Sequence, residues 1–307
     1  MPRPFRFGML SGAGDAVSWQ RDVARAEDDG YSTIVLTDHL DLSGAHVTRL
    51  SWLPAFADAL ARTPRLHASV MVANQDLRHP AVLARDVTTL DRLSGGRVEL
   101  GLGAGHVEQE YAWAGLAFGA VGERVGRLAE YAAVVRGLTT AGAETFSFAG
   151  RHFTITDMPV APLPTRDRLP IMIGGARPRV LSIAAAHADI VNLNNIRDDG
   201  PADEVLAEKV GWVAAAAGER IGDIELAMSV PVVATAIEQA VAAHPFARRL
   251  ASRMGIEGLA ASALTLAGST TAIIDRLQSW RERHGITYVV VPAGSADVMA
   301  PVLARLA

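Results

Sequence analysis

The sequence predicts a closed (β/α)8 barrel, a TIM-like α/β fold, on three observations. Short apolar runs alternate with helix-like amphipathic runs along nearly the whole chain. Runs such as Thr33–Leu36 (TIVL) and residues 286–291 (ITYVVV) are almost continuously apolar, as parallel strands covered on both faces must be. Eight strand–helix pairs can be counted in 307 residues, and a barrel of this kind takes about 250 residues before insertions. The competing topology is an open doubly wound sheet. It lacks support because no G-x-G-x-x-G follows the first strand, where SGAGDAV is only a partial match.

The elements follow in order. Residues 5–10 form the first strand, and 17–29 have helical spacing that stops at Gly30, a natural residue just past a helix end. Thr33–Leu36 is the second strand and 53–61 a helix. Residues 66–72 are the third strand and 81–93 a helix ended by Ser94-Gly95-Gly96. Residues 97–102 are the fourth strand and 123–138 an amphipathic helix. The rhythm then breaks: residues 145–164 alternate apolar and polar around Ala149-Gly150 and read as a β-hairpin with a proline-rich loop. This is an insertion after strand four, at about residues 143–168 of one domain spanning 1–307. The pairs resume with strands at 169–173, 188–193, 224–230 and 286–291, and helices at 177–187, 203–217, Thr270–His284 and 297–306. The alanine-rich stretch 237–267 reads as short helices.

Composition narrows the classes. At 50% hydrophobic residues a large core is possible, and a net charge of -4 gives no global positive field for nucleic acid or an anionic membrane. There is no cysteine, which removes disulfides, thiolate catalysis and Cys-type metal sites. The nine histidines show no metal-ligand spacing, so no metal is expected. MPRPFRFGML has no apolar run of signal-peptide type, and the uncharged stretch 258–274 is short for a membrane span. The expectation is a cytoplasmic protein.

Parallel barrels carry their chemistry at the carboxyl ends of the strands. After the second strand come Asp38 and His39, which serve equally as a helix cap and loop histidine or as reactive groups. After the third come Asn74, a candidate ligand contact, and Arg78-His79-Pro80, which reads as a helix start. After the fourth come Gly101, Gly103 and Gly105 at alternate positions, with Ala104 between, then His106, Gln109 and Glu110. Such glycines allow a backbone to approach a ligand closely. After the fifth, Gly174-Gly175-Ala176-Arg177-Pro178-Arg179 enters a helix, so free N–H groups and a cation offer an anion site. After the sixth come Asn192, Asn194 and Asn195.

The stretches FRFGMLS, TIVLTDHL, ASVMVANQDLRHPAVLARDVTTLDRLSGGRVELGLGAG, LPIMIGGARPRVLSIAAAHADIVNL and ITYVVVP together resemble the luciferase-like monooxygenase superfamily, in its coenzyme F420-dependent oxidoreductase branch. The resemblance implies a barrel with a deazaflavin ring in its mouth and hydride transfer to or from a small organic substrate. The alternatives it leaves are an FMN-dependent monooxygenase and a non-catalytic flavin- or deazaflavin-binding protein. It implies catalytic roles for Asp38, His39 and His106. It implies cofactor contacts from Asp38, Ser69, Val70, Asn74, Gly103, Ala104, Gly105, His106, Gln109, Gly174, Gly175, Ala176 and Arg177. Ser69-Val70 matches the position of a non-prolyl cis peptide behind the ring, and Gly174, Gly175 and Ala176 match the phosphate loop. A sugar-phosphate dehydrogenase branch has a glutamate where this chain has His106. Family members are often homodimers.

Overall fold

The computed structural model describes residues 3–41, 49–193 and 200–306. Its centre is a closed barrel of eight parallel strands: β1 (Arg6–Leu10), β2 (Thr33–Leu36), β3 (His67–Asn74), β4 (Val98–Gly103), β5 (Ile171–Gly175), β6 (Ile190–Leu193), β7 (Glu225–Ser229) and β8 (Ile286–Pro292). Each strand pairs with its neighbours in sequence, and β1 closes the ring on β8 with Arg6 opposite Tyr288. The helices between them are α1 (Ala16–Asp28), α2 (Trp52–Arg62), α3 (Pro80–Ser94), α4 (Val121–Leu138), α5 (Pro178–His187), α6 (Ala202–Ala217), α7 (Thr270–His284) and α8 (Ala296–Leu306).

Local chemistry sets the helix ends. Asp15 caps α1 by accepting from the backbone N–H groups of Val17 and Ser18. His79 caps α3, its Nδ1 accepting from Ala81, with Pro80 in the first turn. Gly95 ends α3 in the left-handed region at φ 71°. Arg97 donates to the carbonyls of Leu60, Thr63 and Leu66, tying the end of α2 to the start of β3.

The insertion is a two-stranded antiparallel hairpin, Thr145–Ala149 with Thr154–Pro159. Glu130 of α4 holds its turn by accepting from the N–H groups of Arg151, His152 and Phe153 at 2.8–3.2 Å. The stretch expected as short helices does form them, Ile237–Ala243 and Pro245–Ala261. It also contains a strand the pattern did not suggest: Thr265–Ala267 pairs in parallel with Val232–Ala234 beyond β7. An alanine-rich sequence masks a three-residue strand because its partner, not its own periodicity, defines it.

The barrel interior is stratified. Its middle is apolar, with Val35, Met172, Ile190, Ala227, Tyr288 and Val290 packed beneath Leu10 and Met71. Toward the amino ends of the strands lies a buried charge cluster. Arg6 bonds Glu99 and, at 2.7 Å, Glu225, and its guanidinium sits 4.4 Å from the Tyr288 ring centre. Burial alone would lower the Arg6 pKa, but the facing Glu99, Tyr288 and Glu225 raise it. Burial, reinforced by the neighbouring Glu99, raises Glu225 despite Arg6.

Candidate functional site

The opposite rim gathers polar side chains from β2, β3, β4 and their loops. Asp38, 9% exposed, follows β2. Its Oδ2 accepts from the backbone N–H of Asn74 at 3.1 Å and from Arg78 Nη1 at 2.8 Å. Burial pushes the Asp38 carboxyl above the ordinary range, opposed by Arg78 and the Asn74 bond. Arg78 is held in turn over the Trp52 ring at 5.3 Å. The sequence marks Arg78 only as part of a helix start; in the structure it is the cation that permits a buried carboxylate here.

His39 points its Nδ1 at Glu110 Oε2, 2.9 Å away. Glu110 is 2% exposed and its other oxygen accepts from the Asp41 backbone N–H at 3.1 Å. The ring of His106 meets His39 edge-on, with centroids 5.2 Å apart. His39 and His106, 67 residues apart in sequence, therefore face one another at the rim. Gln109 is exposed on the short helix Glu108–Ala114 that carries Glu110.

The resemblance-based position of the cis peptide needs correcting. The non-prolyl cis bond lies between Met71 and Val72, two residues beyond Ser69-Val70. Ser69 and Val70 are fully buried. The reason is the length of β3, which runs on to Asn74 instead of ending at Val72, with its pairing to β4 slipping between Val70 and Ala73. That bulge brings Met71 and Val72, both half-buried, to the rim.

The bulge also changes the meaning of the glycines after β4. A Cβ on Gly101 would collide with the Val70 carbonyl oxygen, and one on Gly103 with Val72. A Cβ on Gly105, at φ +71°, would collide with the Tyr111 hydroxyl. The close approach they allow is, at the least, one to the protein's own β3 bulge and Tyr111. Tyr111 donates to Asp76 at 2.7 Å and sits 3.1 Å from Asn74 Oδ1, so the Asn74 amide oxygen belongs to the loop scaffold. Ala104 is half-buried beside this turn and its carbonyl accepts from Gln75.

Across the barrel, Gly175 is demanded by packing, since a Cβ would lie 2.8 Å from Val180. Gly174 is not: a Cβ there would make ordinary contacts of 3.7 Å with Val72 and 3.8 Å with Asn192. Gly174 and Ala176 are half-buried, and Arg177 is exposed at the start of α5, whose first turn carries Pro178. Asn192, 3% exposed, donates to Met71 Sδ at 3.1 Å and to Ser229 Oγ at 3.2 Å, so it supports the bulge from beneath. Asn194 and Asn195 lie outside the described residues. Among the described residues no group of three or more His, Cys, Asp or Glu is arranged to hold a metal. Among them, too, no helix is long and apolar enough to cross a membrane.

A closed parallel barrel with its polar and half-buried groups converging on the carboxyl rim defines the class of βα barrels that bind and react ligands there. Within that class the comparison is specific. The family model described as luciferase-like monooxygenase matches residues 4–285, and the chain belongs to that family. It is 33% identical over 200 residues to an F420-dependent glucose-6-phosphate dehydrogenase of Nakamurella multipartita, covering 61% of this chain and 56% of the relative. A protein of the same name from Amycolatopsis mediterranei is 31% identical over 170 residues, 54% of this chain and 49% of the relative. The chain thus spans about half the length of the curated relatives it matches. Among solved structures, an F420-dependent secondary alcohol dehydrogenase in complex with an F420-acetone adduct superposes with a TM-score of 0.81 at 18% identity, covering 99% of this chain and 100% of that one. The EDTA monooxygenase from Chelativorans sp. BNC1 gives 0.79 at 16% identity, covering 99% and 94%. At such identities the likeness is one of fold.

Proposed function

We propose that the protein is an oxidoreductase that moves a hydride between coenzyme F420 and a small organic substrate. The observation that carries this reading is the division of the rim into two complementary halves. One half offers a half-buried apolar shelf, Met71 and Val72 beside Gly174, whose missing side chain no atom of the described residues requires. The other half offers His39 and His106. A flat, largely apolar ring suits the first half, and the start of α5 with Arg177 suits its phosphate. The F420-dependent names of the curated relatives support the same choice of cofactor.

When bound, the deazaflavin supplies a ring carbon that takes or gives hydride. The chain's own residues then have separable tasks. Met71 and Val72 back the ring, and Asn192 and Ser229 brace Met71 from below. Asp38, held by Arg78, fixes the loop after β2. His39 moves the substrate proton, a task suited to imidazole. His106 stands edge-on to it and contacts the substrate side. Gly174, Gly175, Ala176 and Arg177 form the phosphate turn.

The test is a fluorescence titration of the purified protein with F420 and with FMN. Micromolar binding of F420 and weaker binding of FMN are expected. Preference for FMN would move the protein to the monooxygenase reading, and failure to bind either would sink both. The homodimer belongs to the same proposal and is tested by sedimentation velocity.

A further inference from the structure

We propose that Glu110 is a positioning residue that fixes the tautomer of His39, keeping Nδ1 protonated and Nε2 open as the proton acceptor. The argument begins with hydrogen-bond bookkeeping at a buried carboxylate. Glu110 is 2% exposed, and both of its oxygens are engaged. One accepts from the Asp41 backbone N–H, a donor that cannot change its role. The other lies 2.9 Å from His39 Nδ1. An ionised carboxylate only accepts, so the proton of this bond belongs to Nδ1. In the neutral imidazole the remaining nitrogen, Nε2, then carries the lone pair, on the side of the ring away from Glu110.

The Asp41 N–H makes the arrangement one-way. A glutamine at this position has one accepting oxygen and one donating amide group. Its oxygen must meet the Asp41 N–H, because the alternative sets two donors face to face in a site closed to water. Its amide then points at His39 Nδ1 and needs an acceptor there. The ring answers by moving its proton to Nε2. A carboxylate and an amide of nearly equal size thus select opposite tautomers, and only the carboxylate leaves a base facing the rim.

The consequence for turnover rests on the proposed function. For a hydroxyl-bearing substrate, the C–H bond breaks with its electron pair going as hydride to oxidised F420. The O–H proton passes to His39 Nε2, and the C=O bond forms. The opposite tautomer presents Nε2–H to the substrate and cannot receive that proton.

Two measurements separate the parts. Long-range proton–nitrogen NMR of histidine-labelled protein without cofactor, in alkaline buffer, reads the tautomer directly, with His39 assigned by its loss in His39→Gln. Wild type should show Nδ1–H, and Glu110→Gln should show mainly Nε2–H, whereas Glu110→Asp should retain Nδ1–H. A wild-type signal of the Nε2–H form overturns the proposal even if no variant folds, and so does the same tautomer in wild type and Glu110→Gln. With F420, Glu110→Gln should lose about 10²-fold in kcat with the F420 Kd changed less than about twofold. Unchanged kcat alongside an inverted tautomer removes Glu110 from the chemistry. Failure of wild type to bind F420 removes the proposed function while the tautomer result stands.

Discussion

The two ends of the barrel both bury charge, and they do so differently. At the amino end, Arg6 pairs with Glu99 and Glu225 inside a ring of strands, with Tyr288 stacked on the guanidinium. At the carboxyl rim, Asp38 and Glu110 are as deeply placed, and their partners Arg78 and His39 are no more exposed than Arg6; what differs is that His39 is an imidazole. A carboxylate paired with a guanidinium, which keeps its charge, contributes to the fold. A carboxylate paired with an imidazole can set the state of a group that gains and loses a proton. Charge burial therefore does not by itself distinguish the two ends; the chemistry of the partner does.

That contrast is sharpest at His39. His39→Ala should lower kcat by about 10²–10⁴-fold with little effect on F420 affinity, and should cost about 1–3 kcal/mol in urea unfolding because the buried Glu110 loses a partner. A normal turnover rate would erase the distinction between the two ends. Arg6→Met should do the reverse. It leaves Glu99 and Glu225 buried without a counter-ion, for a loss of about 3–5 kcal/mol in urea unfolding. The fraction that remains folded should bind F420 normally.

The glycines give a finer division. Gly103→Ala should cost about 1–3 kcal/mol by forcing the β3 bulge apart. Gly174→Ala should leave the unfolding midpoint unchanged and weaken F420 binding. If both behave alike, the shelf beside Gly174 is ordinary packing. Arg177→Ala should raise the F420 Kd by about tenfold while kcat at saturation holds, read from the same fluorescence titration.

The smallest effect concerns pH. Burial raises Glu225, so its ionisation opposes folding: the favourable protonated state is fully held below the unfolded carboxylate range and is lost as pH rises through the raised value. Glu225→Gln should therefore be more stable than wild type near neutrality, by about 1 kcal/mol. That advantage should shrink as pH falls through the raised Glu225 value. A constant difference across the range would mean that Glu225 is not the titrating group.

How much of this was legible depends on the distance over which each feature is written. The strand–helix alternation, the hairpin around Gly150 and the Gly95 stop are local, and they appear as periodicity or as a single turn residue. Asp38 and His39 were legible because they directly follow a buried strand. The partners were not. His39 meets Glu110 across 71 positions, Arg6 meets Glu99 across 93 and Glu225 across 219. No local pattern encodes a pairing that only barrel closure creates. The alternate glycines after β4 were visible, but their cause, a bulge in the adjacent strand, was not. An opening for a ligand and an opening for a neighbouring strand leave the same trace in sequence.

The hairpin between α4 and β5 supplies no rung to the ring, since β4 bonds directly to β5 through Leu100 and Ile171. Its turn is fastened to α4 by the carboxylate of Glu130. The excursion therefore leaves ring closure to β4 and β5, and it covers α3 and α4 with Ile155, Val160 and its phenylalanines. It thickens the outer layer of helices while the ring of strands beneath closes without it.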